Sequence, residues 1–208
     1  TDLFSLAVLL FYMLMMHHPL EGERENQIHC FDFAAMRNLY GVEPVFIFDP
    51  SDDSNRPVVG QHDNALEFWK LYPQFLRDRF TEAFTAGIAD PQNGRVRETV
   101  WRGDMIRLRD AIFYCGHCGA ENIYDADMLK SSGAAGHCWS CRRSLILPPR
   151  LRINRQVILL NHDTKLYPHH LGVTRWDFTT PLAEVTQHPH DPSIWGLKNL
   201  SDAKWSAT

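Results

Sequence analysis

The hydrophobic pattern of the chain changes once, from a helical period to an alternating one. Up to about residue 113, apolar residues recur every three or four positions, as in amphipathic helices; beyond residue 148 they alternate, as in half-buried strands. The pattern predicts helices over residues 3–16, 31–40, 64–72, 73–87 and 97–113 and a short buried strand over 44–48. It also predicts strands within 151–159, 167–171, 182–186, 195–200 and 204–207.

The first apolar run, residues 3–16, predicts a buried helix. A bilayer span needs about 20 apolar residues, and this run is shorter. A signal peptide would have basic residues ahead of the run, where this chain has Asp2. Because the run is apolar on every face, we interpret it as a core helix that Thr1 or Asp2 caps and that Pro19 and Gly22 end.

The aromatic stripe of residues 64–88 is also interpreted as core. The residues expected to be buried are Leu66, Trp69, Leu71, Phe75, Leu76, Phe80, Phe84 and Ile88.

Two Cys-x-x-Cys pairs carry the clearest chemistry. Cys115 and Cys118 are followed after nineteen residues by Cys138 and Cys141, and two such turns present four thiolates to a tetrahedral Zn²⁺. With every position taken by protein, the expected metal is structural, one per chain. Lys130, Arg142 and Arg143 are near enough in sequence to offset the negative charge of the thiolates.

Other uses of these cysteines fit less well. A redox pair would leave the second Cys-x-x-Cys unexplained, and two disulfides would require an oxidising compartment. His117 or His137 could replace one thiol. The fifth cysteine, Cys30, has no predicted partner, which favours a reducing cytoplasm.

Composition narrows the class of function. The chain has 208 residues, 44% of them hydrophobic, a formal net charge of −4 and a pI near 6.2. This acidic balance argues against a dedicated nucleic-acid binder. Between residues 128 and 162, however, the ionisable groups other than histidine and cysteine are six bases and no acids, a patch that could meet phosphate.

Two further stretches carry candidate ligands. Residues 49–57 form a proline-bounded polar loop with Asp49, Asp52 and Asp53, which lacks the glycine and distal glutamate of an EF-hand and is expected to be a solvated turn. The histidines in residues 167–170 and 188–191 could hold a second metal, although exposed histidines in proline-rich turns are the preferred interpretation.

The helical half resembles the C-lobe of protein kinases. Thr1-Asp2-Leu3-Phe4-Ser5-Leu6-Ala7, with Pro19-Leu20-Glu21-Gly22, is similar to the central buried C-lobe helix and the turn after it; Asp90-Pro91, Arg95 and Trp101 are similar to the late C-lobe motif. In that family the aspartate braces the catalytic loop and the arginine pairs with a glutamate beside the activation segment. Both partners would lie upstream of Thr1.

The catalytic motifs of that family are missing. The chain has no Gly-rich loop, strand lysine, His-Arg-Asp loop or Asp-Phe-Gly. We therefore expect this chain, as a fragment of a Ser/Thr kinase, to transfer no phosphate.

The last third resembles another family. Residues 195–201 with Trp205 are similar to late strands of forkhead-associated β-sandwiches, but 58 residues are too few for a whole sandwich and its phosphothreonine-reading motifs are not evident. The expected fold is α+β and multidomain: a kinase C-lobe-like helical region over 1–113, a zinc-knuckle module over 114–147, and a partial forkhead-associated-like region over 148–208.

This combination resembles the kinase of the bacterial tellurium-resistance-associated triad. The stretch from Leu39-Tyr40-Gly41 to Phe46-Ile47-Phe48-Asp49-Pro50, with Ser54-Asn55-Arg56-Pro57, carries the resemblance best. It implies a regulatory and docking region whose partner is the triad's von Willebrand A protein, with the PP2C-type phosphatase as a further partner. Because von Willebrand A domains commonly hold a divalent metal that accepts a partner's carboxylate, Asp49, Asp52 and Asp53 are the candidate contacts.

Two other functions stay open. The chain could be a nucleic-acid adaptor that uses the knuckles and the basic patch, or an extension that only completes the kinase fold.

Overall fold

The computed structural model describes residues 2–153, 156–172 and 177–205. Helices and small antiparallel sheets make up the described chain, which confirms the α+β class. The chain divides into two compact units, Thr1–Ile106 with Asp125–Asp127 and Arg107–Tyr124 with Met128–Thr208. The three regions predicted above stay a prediction. Within the described residues no helix is both long and apolar enough to cross a bilayer.

Helices build most of the first unit. They are α1 (Asp2–Met15), α2 (Glu23–Asn26), α3 (Phe33–Arg37), α4 (Asp63–Leu71), α5 (Gln74–Phe84), α6 (Ala86–Ala89) and α7 (Glu98–Asp110), which begins in this unit; a π-helical turn, Asn38–Val42, follows α3. Asp32 caps α3, because its carboxylate accepts a hydrogen bond from the backbone N–H of Ala35.

The core of the first unit centres on the α1 side chain Phe11, which is fully buried. Its ring lies edge-on to Phe46, Phe80 and Phe84, with centroids 5.1–5.7 Å apart. Edge-to-face aromatic contacts of this kind each add about 0.5–1.5 kcal/mol beyond the area they bury. The prediction that α1 is a core helix is correct for this face and wrong for the opposite one, where Leu9, Tyr12 and Met13 are each more than half exposed. Leu71 of the predicted core stripe is 37% exposed.

The strand predicted over residues 44–48 is absent. Phe46 and Ile47 are buried as expected, but the segment ends in a turn and forms no ladder. The backbone N–H of Ile47 donates to the carbonyl of Pro19, and the ring of Phe48 stacks on Trp69 at 4.2 Å. Side-chain burial, which the apolar pattern does indicate, is thus satisfied without a neighbouring strand.

Short strands dominate the second unit. Strands β1 (Ile112–Tyr114) and β2 (Glu121–Ile123) pair, as do β3 (Arg150–Ile153) and β4 (Gln156–Leu159). A third sheet has the order β5 (Lys165–Leu166), β6 (Ala183–His188), β7 (Asp191–Asn199), and every pairing is antiparallel. The other elements are α8 (Ala126–Ser132) and a 3₁₀ turn, Pro168–Leu171.

A small core joins the last two sheets. Ile158, Leu166 and Ala183 are buried together, and Leu151 and Leu197 pack against them. The alternating pattern therefore predicts this β-rich part correctly.

Several predicted elements differ from the structure, three of them in the second unit. Helix α7 ends at Asp110 and the chain enters β1, whereas the apolar period predicted helix to residue 113. Of the strand predicted over residues 167–171, Pro168–Leu171 form the 3₁₀ turn instead, because Pro168 lacks a backbone donor. Lys204 and Trp205 lie outside any strand, and residues 206–207 of that predicted strand lie outside the described residues.

Candidate metal centre

The first Cys-x-x-Cys lies at the tip of the β1–β2 hairpin. The backbone N–H of Cys115 donates to the carbonyl of Ala120 at 2.9 Å, which extends the ladder by one pair beyond β1. The chain then turns back, and the N–H of Gly119 donates to the carbonyl of Cys115 at 2.9 Å. Gly119 has φ +74°, a left-handed conformation that costs glycine little and other residues more.

The second Cys-x-x-Cys repeats this geometry. A bridge between His137 and Ser144 precedes a hydrogen bond from the Cys138 N–H to the carbonyl of Arg143, at 2.8 Å. The N–H of Arg142 donates to the carbonyl of Cys138 at 2.9 Å, and Arg142 has φ +61°. Arg142 thus occupies the left-handed position that Gly119 occupies in the first turn.

The two turns bring the four sulfurs together. One ligand atom from each of Cys115, Cys118, Cys138 and Cys141 lies within 4.8 Å of all the others. The Sγ–Sγ distances Cys115–Cys141 and Cys118–Cys138 are both 3.7 Å. Four sulfurs about 2.3 Å from a tetrahedral zinc would lie about 3.8 Å apart, so the spacing fits a metal. The cysteines are free, and a disulfide would need about 2.05 Å.

Backbone N–H groups lower the pKa of one thiol in each turn. The N–H groups of His117 and Cys118 point at the Cys115 sulfur and lower its pKa. Those of Cys141 and Ser140 lower the pKa of Cys138 to about 6. Metal-binding thiolates are stabilised in this way, because an N–H dipole favours the deprotonated sulfur.

Cys141 shows the opposite shift. The N–H of Arg143 acts to lower its pKa, but burial and the three neighbouring sulfurs outweigh this and raise the pKa to about 11. Four thiolates at this spacing repel one another unless a cation lies between them. The cluster is therefore suited to a bound cation.

Asn122 orients the second turn and was not identified from the sequence. It is buried in β2, and its Nδ2 group donates to the carbonyl of Ala120 at 2.8 Å and to the Cys138 sulfur at 3.6 Å. Its Oδ1 accepts from the backbone N–H of Trp139 at 3.4 Å. Asparagine is uncommon inside strands, so an isolated asparagine eleven residues before Gly133 gave only a weak signal in the sequence.

The histidines considered as alternative ligands are not part of the four-sulfur group. His117 Nδ1 lies 3.3 Å from Arg143 Nη1, and His137 is exposed. Arg143 therefore lies beside the first turn, near the thiolates whose charge it was expected to offset.

The three carboxylates of the loop over residues 49–57, called the acidic loop below, differ in their hydrogen bonds. Asp49 Oδ1 accepts from the N–H of Ser51, and Asp52 Oδ1 accepts from the N–H of Ser54. The Ser54 contacts lower the pKa of Asp52. Asp53 is exposed, and within the described chain its carboxylate accepts no hydrogen bond.

A second group of possible ligands joins Asp110, His169 and His170, whose ligand atoms lie within 4.8 Å of one another. His170 Nδ1 accepts from the backbone N–H of Tyr167 at 2.8 Å, so the proton is on Nε2, 3.0 Å from Asp110 Oδ2. A metal at Nε2 would displace that proton and leave the ring without any, whereas metal-bound histidines normally donate from the other nitrogen. We interpret this group as a hydrogen-bonded brace.

His188 and His190 lie apart from this group. Both are exposed at the β6–β7 turn, with ring centroids 6.0 Å apart. Within the described residues, the two histidine pairs therefore do not form the shared second metal site that the sequence allowed.

A cavity of about 410 Å³ in the first unit is lined by Asp2 and Arg95, among other residues. The Arg95 guanidinium lies 4.3 Å from the centroid of the Phe4 ring, and its buried Nη1 has no hydrogen-bond partner in the described chain. Burial lowers the pKa of Arg95.

Comparison with known proteins adds no family: no protein-family model, curated protein or solved structure matches the chain.

Proposed function

We propose that the chain is a zinc-stabilised regulatory and docking region of a bacterial Ser/Thr protein kinase, and that it works in the cytoplasm. The four-sulfur group carries this proposal. Its tetrahedral spacing and all-thiolate ligands suit Zn²⁺, and four protein ligands leave no coordination position for a substrate or water. The metal then holds two hairpin turns in place and takes no part in catalysis.

The kinase origin is supported by Arg95. A buried guanidinium nitrogen without a partner is costly, because burial removes its water without replacing the hydrogen bond. In the family that the helical half resembles, the matching arginine pairs with a glutamate beside the activation segment. A carboxylate in the cavity beside Arg95 would satisfy Nη1, which is the arrangement that the resemblance implies.

The docking role is supported by the exposed side of α1. Leu9, Tyr12 and Met13 of α1 and Met16 just after it are each more than half exposed, and helical spacing places the first three along one side of the helix. Contiguous apolar surface of this kind is typical of sites that another protein covers. We therefore propose protein as the binding partner of the first unit, and the triad's von Willebrand A protein as the first candidate.

The acidic loop is the proposed contact with a partner-bound Mg²⁺ or Mn²⁺. Such hard cations prefer carboxylate oxygens. Of the three candidates, Asp53 is the best placed, since Asp49 and Asp52 each already accept a backbone hydrogen bond.

Titration against the purified von Willebrand A protein tests this contact. We expect binding to require Mg²⁺ or Mn²⁺ and to weaken more in Asp53→Ala than in Asp52→Ala, with Glu98→Ala, another exposed acid of the first unit, as the control. Equal affinity of both loop variants and the control would exclude the loop. Rescue of chelated samples by zinc alone would assign the metal requirement to the cysteine cluster.

The proposal also expects no phosphoryl transfer. The lysine, aspartate and metal groups that position a γ-phosphate are missing from this sequence. Incubation with labelled ATP and Mg²⁺ should leave the chain and a generic substrate unlabelled, and incorporation above a denatured control would contradict the non-catalytic assignment.

A further inference from the structure

Charge is divided unequally between the two units. By sequence, Thr1–Ile106 with Asp125–Asp127 has nine basic and 18 acidic residues, a net charge of −9. Arg107–Tyr124 with Met128–Thr208 has 12 basic and seven acidic residues, a net charge of +5. A zinc tetrathiolate would reduce the second value by two and leave it positive. The acidic pI of the whole chain therefore hides a basic unit, and such asymmetry is typical of chains that bind a polyanion.

Within the basic unit, Trp139 is held rigidly at the surface. Its side chain is 50% exposed. The indole Nε1–H donates to the carbonyl of Glu121 at 2.7 Å, and the backbone N–H donates to Asn122 Oδ1. Trp139 also lies between the ligands Cys138 and Cys141, so a bound metal would fix its backbone. An aromatic ring held in this way loses little conformational entropy when a ligand stacks on it.

Two exposed arginines follow Trp139 in the same turn, three and four residues further along the chain. Arg142 and Arg143 are both exposed, and Arg143 reaches the first turn, where its Nη1 lies 3.3 Å from His117 Nδ1. Arg142 has φ +61°, and the equivalent residue of the first turn is Gly119. The chain therefore has an arginine side chain at a backbone conformation that favours glycine. We call Trp139, Arg142, Arg143 and His117 the Trp139 face.

We propose that the Trp139 face binds single-stranded nucleic acid, with a base stacked on the indole and backbone phosphates at Arg142 and Arg143. Stacking requires an unpaired base, because a duplex hides the base faces. An acidic peptide would use the arginines and gain little from a rigid, half-exposed ring. This inference goes beyond the docking role and does not depend on the von Willebrand A partner.

Fluorescence anisotropy of labelled oligonucleotides tests the proposal. Zinc-loaded full-length chain is titrated against oligothymidylate and oligouridylate of about 12 nucleotides, against the matching duplex and against a polyglutamate peptide of similar charge. We expect tighter binding to the single strands than to either competitor, and weaker binding as salt rises from about 50 to about 200 mM. Tighter binding to oligothymidylate would indicate DNA as the ligand, and tighter binding to oligouridylate would indicate RNA.

Three variants identify the face. Trp139→Leu should weaken binding about tenfold or more, because stacking on one aromatic side chain accounts for a factor of that order. Arg142→Gly removes the charged side chain and suits the left-handed backbone, so it should flatten the salt dependence without unfolding the turn. Lys204→Gln, an exposed base of the same unit, is the control and should change the affinity least.

Each contrary result overturns the inference. These results are no binding at low salt, unchanged affinity in Trp139→Leu with the zinc content intact, or polyglutamate binding as tightly as the single strands. The last result would assign the basic unit to an acidic protein partner instead.

Discussion

Asn55 holds the acidic loop to the body of the first unit through three hydrogen bonds. Its Nδ2 group donates to the carbonyls of Leu20 at 2.9 Å and Val45 at 2.7 Å. Its Oδ1 accepts from the backbone N–H of Arg24 at 3.0 Å, and the residue is fully buried. Gly22 packs so closely on Asn55 that an added Cβ would lie 2.2 Å from its carbonyl oxygen. One side chain thus joins three separate stretches of backbone.

Replacing Asn55 with alanine leaves those backbone groups without partners. The two orphaned carbonyls and the orphaned Arg24 N–H, at roughly 1–3 kcal/mol each, predict a loss of about 3–9 kcal/mol in the free energy of unfolding. A loss of this size is a large part of the roughly 5–15 kcal/mol that stabilises a typical domain. Asn55→Asp should be at least as destabilising, because a carboxylate oxygen would face the carbonyls of Leu20 and Val45.

Urea titration of the zinc-saturated chain, followed by far-ultraviolet circular dichroism, measures this loss, since most helices lie in the first unit. Asn26→Ala is the matched control: Asn26 is exposed, and its replacement should change stability by at most about 0.5 kcal/mol. A loss below about 1 kcal/mol in Asn55→Ala, or tolerance of Asn55→Asp, would refute the reasoning.

Three further predictions concern the second unit. Gly119→Ala should destabilise the metal-loaded fold by about 1–2 kcal/mol because of its positive φ, whereas Gly116→Ala, with equally open space and no such φ, should be nearly neutral in the same thermal melts. Asn122→Ala should weaken zinc affinity about 10- to 100-fold in chelator competition, because it removes the hydrogen bond to the Cys138 sulfur; wild-type affinity would exclude that role. Burial lowers the pKa of His169 from 6.5 to about 4, so the unfolded chain binds more protons in this interval. Stability should be full above pH 6.5 and fall as the pH drops towards 4, and the decline should flatten in His169→Phe; an unchanged pH profile would contradict the assignment.

The sequence predicted the features that depend on local spacing. Two Cys-x-x-Cys pairs determine two turns, and four thiols have few stable arrangements other than around a metal. The apolar period likewise predicted α1, α4 and α5, because helical burial repeats every three to four residues. These inferences needed no knowledge of which segments meet.

Features that depend on distant contacts could not be predicted in this way. Asp110 and His170 are 60 residues apart in sequence, and nothing local indicates that they form a hydrogen bond. Asn55 belongs to the stretch that carries the family resemblance, but its three backbone hydrogen-bond partners could be identified only from the fold. Burial at Phe46 was predicted correctly, but the strand predicted over residues 44–48 does not form, since an apolar run indicates where side chains lie and not how the backbone pairs.

The central claim is that a single structural zinc is held by Cys115, Cys118, Cys138 and Cys141. Elemental analysis of the folded chain, purified without chelator and compared with Cys138→Ser, tests it most directly. We expect one zinc per chain in the wild type and loss of both zinc and the β1–β2 region's order in the variant, because metal binding and folding are coupled in such modules. A folded wild-type chain without metal, or full zinc retained by Cys138→Ser, would contradict the claim.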